Sequence, residues 1–274
     1  MRKSKTEIAV RATLIGLLLL FSLIPILWVF MTSFRSESDI YSLSLLIHDA
    51  TLENYRTVFQ NEYMPRYFLN TAIVSVATTI ISMLVATLGA YGFSRYRFPG
   101  SNGVLGFILF TRVLPRVTVV IPFYITLRQL DLINTYPGLV LVYLMVVMPV
   151  TVWMLKGFFD NIPFEIEEAA SIDGCSSLRI LFQIVLPICL PALAAVGMYA
   201  FILSWNEFLF ALIMTSDSST RPISVGLAFY IDDRGIHWGE LMAASALMSI
   251  PAMIVFSLTQ NMLVKGLSAG AVKG

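Results

Sequence analysis

Long apolar runs separated by short charged stretches dominate the chain. Uncharged segments cover 12–34, 68–94, 132–155, 180–206 and 241–264, each flanked by Arg, Lys, Asp or Glu. A helix needs about 20 apolar residues to cross a bilayer core, so each run can hold one crossing. A sixth run, 103–127, is interrupted by Arg112 and Arg116; it is read as a span with a disturbed middle. The pattern predicts an all-α integral membrane protein with six transmembrane helices near 12–33, 67–93, 103–127, 136–157, 186–214 and 241–264. A segment 1–11 precedes the 12–264 membrane domain, a loop 158–187 joins the fourth and fifth spans, and a tail 265–274 follows. The first run starts after Arg2, Lys3 and Lys5, as a signal peptide would, but it is too long and no small-residue cleavage pattern follows Phe30. It is read as a retained span.

Six spans place both termini on one side, and the basic residues choose which. With the termini in the cytoplasm, the inner segments carry Arg2, Lys3, Lys5, Arg11, Arg95, Arg97, Lys156, Arg179, Lys265 and Lys273. The outer segments carry fewer: Arg35, Arg56, Arg66, Arg128, Arg221 and Arg234. Pro25, Pro115, Pro122, Pro149 and Pro251 fall inside spans. Each removes a backbone donor, which reads either as ordinary membrane-helix irregularity or as a hinge.

Composition narrows the class further. Hydrophobic residues make up 57% and charged residues 13%, against about 25% charged in soluble domains. That excludes an ordinary soluble enzyme and a disordered chain. A net charge of +1 gives no reason to expect a nucleic-acid partner, and two cysteines cannot build a disulfide framework.

The loop 158–187 holds most of the chemistry. Pro163 suits the first position of a helix, and Glu165, Glu167 and Glu168 follow where carboxylates favour the helix dipole. Ile162, Ile166, Ala169 and Ala170 share one helical face. Gly174 provides a left-handed stop, and Ser176 or Ser177 can cap a second helix leading into the fifth span. A small alanine face admits another surface closely, and flanking carboxylates can meet its Arg or Lys. The unit therefore reads as a docking helix; the other reading is an amphipathic helix lying on headgroups, which three glutamates oppose.

Glu168-Ala169-Ala170, three residues, Gly174, nine residues, then Ile184-x-Leu186-Pro187 resembles the EAA loop of bacterial ABC importer permeases. The string Ala90 to Phe98, the segment Ser204-Trp205-Asn206-Glu207-Phe208 and the ending Gly266 to Gly274 also resemble carbohydrate permeases. The chain is similar to the maltose-type G subunits of those importers, and the outer segment 34–66 carries the weakest resemblance. This implies a type I ABC importer permease fold in a bacterial inner (plasma) membrane. It implies a heterodimer with a second permease subunit, two ATP-binding cassette subunits below, and an extracytoplasmic solute-binding protein that delivers sugar. It implies a coupling-helix role, seated in an ATPase groove, for Glu167, Glu168, Ala169, Ala170, Ile172, Asp173 and Gly174, with Glu165, Leu186 and Pro187 beside them. The tail Lys265 to Gly274 is expected to reach toward the ATPases.

No phosphate-binding Gly-x4-Gly-Lys-Ser/Thr run and no His-Glu-x-x-His pair occur. The chain is thus expected to be a transporter subunit rather than an enzyme and to bind no cofactor of its own, with ATP and magnesium held by the partner ATPase.

Charges inside spans are costly and face a cavity or a partner. Arg112 and Arg116 are four apart and share a helix face. They line a sugar path, or they pair with a carboxylate or with freed carbonyls, or they snorkel to an interface. If they face the path, the substrate could carry a sulfonate, phosphate or carboxylate. Trp205, Asn206 and Glu207 combine an aromatic face with planar hydrogen-bonding groups, a set that suits sugars and equally suits contacts between helices. Tyr124 is a further path candidate. The functional expectation is ATP-driven import of a sugar or glycoside, with or without an anionic substituent, by alternating access. The alternative is a permease for a polyol, glycerol phosphate or other non-sugar solute.

Overall fold

A computed structural model describes residues 5–41, 47–96, 98–233 and 235–271, with the side chains of 5, 8 and 263–271 left out. The basic residues Arg2, Lys3, Arg97, Arg234 and Lys273 lie outside the described residues, and of the tail 265–274 only the backbone to Ala271 is described. The described residues are almost entirely helical, as apolar runs without backbone partners in lipid must be. Against the all-α expectation stand a two-residue antiparallel ribbon, Ile231–Asp232 with Gly235–Ile236, and an isolated bridge between Arg35 and Ala50.

The chain forms two compact units, 1–65 with 226–250 and 66–225 with 251–274. In the first, helix α1 (Lys5–Ser33) carries Pro25 within it. Its apolar side chains, Leu14 to Trp28, are left exposed by the chain itself. Helix α2 (Glu53–Gln60) follows. Asn54 donates to the carbonyls of Ser33 (2.9 Å) and Arg35 (2.8 Å), and Tyr55 OH meets Ser33 Oγ at 2.7 Å, so α2 is fastened to the end of α1.

In the second unit, helices α3 (Met64–Arg95) and α6 (Tyr136–Asp160) are the long elements. Between them lie α4 (Ser101–Phe110) and α5 (Arg116–Gln129). After α6 come α7 (Phe164–Ile172), α8 (Ser177–Ile188), α9 (Leu190–Trp205) and α10 (Leu209–Met214). The last helix, α11 (Trp238–Ala271), starts in the first unit and ends in the second. One apolar core joins Ala86, Ala90 and Tyr91 of α3 to Leu155 and Phe159 of α6, Ala170 of α7, and Leu181 and Val185 of α8. A second gathers Val74, Leu139, Tyr143, Phe210 and Met214.

Among the described residues, four helices are long and apolar enough to cross a membrane, and the α8–α9 pair, bent by 85°, makes a fifth if it is one span. This is a multi-pass inner-membrane protein. The third span, expected with a disturbed middle, is two short helices in 103–127, broken at Thr111–Pro115. Proline explains the break. Pro115 excludes the helical conformation from the residue before it and offers no N–H; it sits as the N-cap of α5 at φ −59°, ψ 122°. The expected fifth span is also interrupted. Pro187 and Pro191 flank the bend at Cys189, a π-helical turn (Leu181–Val185) precedes it, and a further break at Asn206–Phe208 separates α9 from α10.

The start of α6 carries a prediction. Thr135 caps the helix by accepting the N–H of Gly138 at 3.1 Å and itself donates to the carbonyl of Leu132 at 2.8 Å. A β-carbon at Gly138 would run into that same Leu132 carbonyl oxygen. Gly138→Ala is therefore expected to destabilise the protein by about 1–3 kcal/mol, read as a lower unfolding temperature in detergent. An unchanged midpoint would show that the turn yields freely.

Candidate functional site

The loop after α6 folds into α7, a turn and α8. Pro163 stands at the N-cap, one position before where the sequence places it, with Glu165 and Glu167 in the first turn. Gly174 ends the helix at φ +82°. The N–H of Cys175 bonds the carbonyl of Ala170 and that of Gly174 bonds Ser171, both at 3.0 Å. This pair is the Schellman closure, which turns the chain sharply while satisfying the last carbonyls. Ser176 is the N-cap of the next helix.

The three glutamates do not act alike. Glu165 and Glu168 are exposed, whereas Glu167 is buried. Its Oε1 accepts from Arg95 Nε at 2.6 Å and its Oε2 accepts from Tyr91 OH at 2.7 Å. Arg95 also donates to the carbonyls of Phe159 (2.9 Å) and Ile162 (3.3 Å), and its guanidinium lies over the Phe164 ring at 6.0 Å. Ser94 donates to Asp160 Oδ1 at 2.6 Å. The end of α3 thus holds the start of α7 and the end of α6 together. Of the alanine face, Ala170 is buried and Ala169 exposed. Ile172 is 87% exposed, an apolar side chain with nothing of this chain over it. Asp173 and Gly174 are exposed beside it, while Leu186 and Pro187 lie at the far end of α8 before the bend.

Sequence reasoning missed Tyr91 and Arg95 as anchors. They stand four apart on α3, one turn of the same face, but their partner lies more than 70 residues away.

A second region lies where the third span breaks. A cavity of about 660 Å³ is lined by Arg112, Arg116, Phe107, Phe123, Met145 and Phe210, among others. Arg112 donates to the carbonyl of Val146 at 2.7 Å and to Tyr199 OH at 3.4 Å. Val146 lies three residues before Pro149 in the same helix. Arg116 is exposed and lines the cavity. Glu207 itself is 4% exposed and accepts the N–H groups of Phe210 (3.3 Å) and Ala211 (3.1 Å), capping α10. Trp205 is buried and stacks on Phe201 at 5.4 Å between centroids. Asn206 is exposed but donates to Ile202, and Tyr124 packs partly buried against the second core, so neither lines the cavity.

The connection between α5 and α6 is pinned by Asn134, which takes φ +58°. Its Oδ1 accepts from Ser216 N and Thr220 Oγ1, and its Nδ2 donates to Asp217 Oδ2 at 2.8 Å. The Ser219 and Asn134 donors hold the Asp217 carboxyl down at about 2. Asn70 is fully buried and donates to the carbonyls of Ser219 (3.2 Å) and Arg221 (2.9 Å).

Residues 78–269 match the family described as binding-protein-dependent transport system inner membrane component. The trehalose/maltose transport system permease protein MalG of Thermococcus litoralis is 34% identical, covering 94% of this chain and 94% of that protein. The sulfoquinovosyl glycerol transport system permease protein SmoH of Agrobacterium fabrum is 32% identical over 94% of this chain and 92% of its own length. In three dimensions, a chain of a bacterial ABC transporter involved in import of the acidic polysaccharide alginate superposes with TM-score 0.80 at 23% identity, covering 95% of this chain and 99% of that one. The match spans the loop with its Schellman-closed helix, the broken third span and the long helices around them: the chain belongs to the binding-protein-dependent inner-membrane permeases of carbohydrate-type ABC importers.

Proposed function

We propose that this subunit imports a sugar or glycoside by alternating access, driven by ATP hydrolysed on separate subunits. The carrying observation is the α7 helix. It is held to the ends of α3 and α6 by the buried Glu167, and it presents Glu168, Ala169, Ile172, Asp173 and Gly174 outward. A helix anchored on one face and bare on the other is suited to transmit force from a docked protein into the membrane helices. Glu165 and Glu168 supply charge to meet Arg or Lys, and Ile172 supplies an apolar knob for a groove. Glu167 serves from the inside, as the anchor.

In this reading the chain crosses the membrane six times with both termini in the cytoplasm, the broken 103–127 segment counting as the third crossing. Such broken backbone is tolerated at membrane depth where it lines a cavity or is buried in protein. The partners are a second permease, two ATP-binding cassette subunits carrying ATP and magnesium, and an external binding protein. Both curated relatives are named for the transport of sugars or a sugar glycoside, which supports the substrate class.

The test is reconstitution of the complete importer in proteoliposomes with its binding protein. ATP hydrolysis is expected to rise when a sugar from a broad panel is added, and the ATPase subunits to copurify with this chain. Failure to copurify with any ATPase would refute the coupling role. Stimulation by polyols or glycerol phosphate alone would move the substrate outside the sugars.

A further inference from the structure

The two arginines of the broken span have different jobs, and the difference points to the charge of the substrate. Resting on the import reading above, we propose that the cavity at the α4–α5 break receives a sugar or glycoside bearing a negative charge, and that Arg116 is the residue that contacts its anionic group.

Arg112 is committed to the protein. Its guanidinium bonds the Val146 carbonyl at 2.7 Å, in the turn before Pro149, and reaches Tyr199 OH at 3.4 Å. It ties the chain at residue 112 to a carbonyl of α6, which is a structural task. Arg116 has no such commitment: among the described residues it has no hydrogen-bond or ion-pair partner, and it lines the cavity. A cation within an apolar stretch costs free energy unless something neutralises it. The buried carboxylate of Glu207 has an oxygen on each of two backbone N–H groups of α10 and does not line the cavity. Among the residues lining the cavity there are two cations and no carboxylate, and of the two only Arg112 is bonded to the protein. Arg116 is also the first residue of α5, where the positive end of the helix dipole adds to its charge.

The rest of the wall fits the body of a sugar. Phe107 and Phe123 offer aromatic faces to C–H patches, and Met145 an adaptable apolar surface. The volume of about 660 Å³ lies within the range of small-molecule pockets. A guanidinium binds a carboxylate or a sulfonate through paired N–H donors, so the two anions share one recognition chemistry.

The experiment is uptake by the complete importer in proteoliposomes with its binding protein, using sulfoquinovose, methyl glucuronide and neutral methyl glucoside. The variants are Arg116→Gln, Arg116→Lys and Arg112→Gln. Wild type is expected to carry at least one anionic probe, and the response to sulfoquinovose against methyl glucuronide tells sulfonate from carboxylate. Arg116→Gln is expected to lower anionic uptake roughly tenfold or more while leaving any neutral uptake within about twofold, with Arg116→Lys restoring part of the loss. Arg112→Gln is expected to lower all probes together, as a structural residue would. Uptake of the neutral probe alone, or equal losses on neutral and charged probes in Arg116→Gln, would overturn the proposal and leave sugar import standing. Uptake of no sugar, with no sugar-stimulated hydrolysis, would overturn both.

Discussion

Arg95→Ala is expected to destabilise the protein by about 3–5 kcal/mol, because it leaves a buried carboxylate without its cation. The side chains of Arg95 and Glu167 are 8% and 5% exposed, and their contact is 2.6 Å. Without Arg95, Glu167 keeps only the Tyr91 hydroxyl, and the carbonyls of Phe159 and Ile162 lose their donor as well. Taking the glutamate away too should return most of the loss. Arg95→Met with Glu167→Met removes both charges and refills the space, and buried pairs replaced in that way are often neutral to stability. Thermal unfolding in detergent of wild type, the single variant and the double variant reads this directly. A single variant as stable as wild type would mean that the pair is wet and weak in the assembled protein. A double variant no better than the single would place the energy in the carbonyl contacts of Arg95 instead. The double variant also separates stability from transmission: if it folds well yet carries less solute per ATP, the pair serves to stiffen α7 against α3.

What could be read from the sequence divides along the range of the interaction. The turn at Gly174 was legible because its cause is local: a glycine follows a helical face, and the structure has it at φ +82° with the Schellman bonds in place. The long apolar runs were legible for the same reason, since hydropathy needs no partner. The anchoring of Glu167 was hidden because Tyr91 and Arg95 stand 76 and 72 residues away. Three neighbouring glutamates look equivalent until the fold sorts one inward and two outward. Pro115 was visible as an irregularity, but whether proline kinks a helix or divides it depends on what satisfies the freed groups, and here the chain leaves the helix entirely at Thr111–Pro115. Trp205 and Glu207 have the residue types a sugar site uses. In this chain the Glu207 carboxylate caps the start of α10 and the Trp205 indole stacks on Phe201, contacts that residue type alone does not announce. The contrast between Arg112 and Arg116 rests on Val146, more than 30 residues on, and no spacing rule reaches it.

Gly174→Asp is expected to leave the protein folded and inserted while abolishing transport. Gly174 takes φ +82°, and a β-carbon there would meet nothing within 4 Å. Inside the chain the cost is therefore conformational and electrostatic. A left-handed backbone costs a non-glycine residue about 1–2 kcal/mol, and a carboxylate at a helix C-terminus adds about 0.3–1 kcal/mol against the dipole. A domain stable by about 5–15 kcal/mol survives that. A docked ATPase would meet the new side chain at close range, with its charge beside Asp173 and near Glu168. Gly174→Ala is the control, since it carries more of the backbone strain and none of the charge. The Asp variant is expected to reach the membrane at normal levels, to copurify with far less ATPase and to show no uptake, while the Ala variant keeps most of its ATPase. Equal failure of both variants would assign the effect to the turn itself rather than to a partner's surface. An Asp variant that assembles and transports as wild type does would mean that no partner approaches this end of α7, and the coupling role would then have to be sought elsewhere on the inner face.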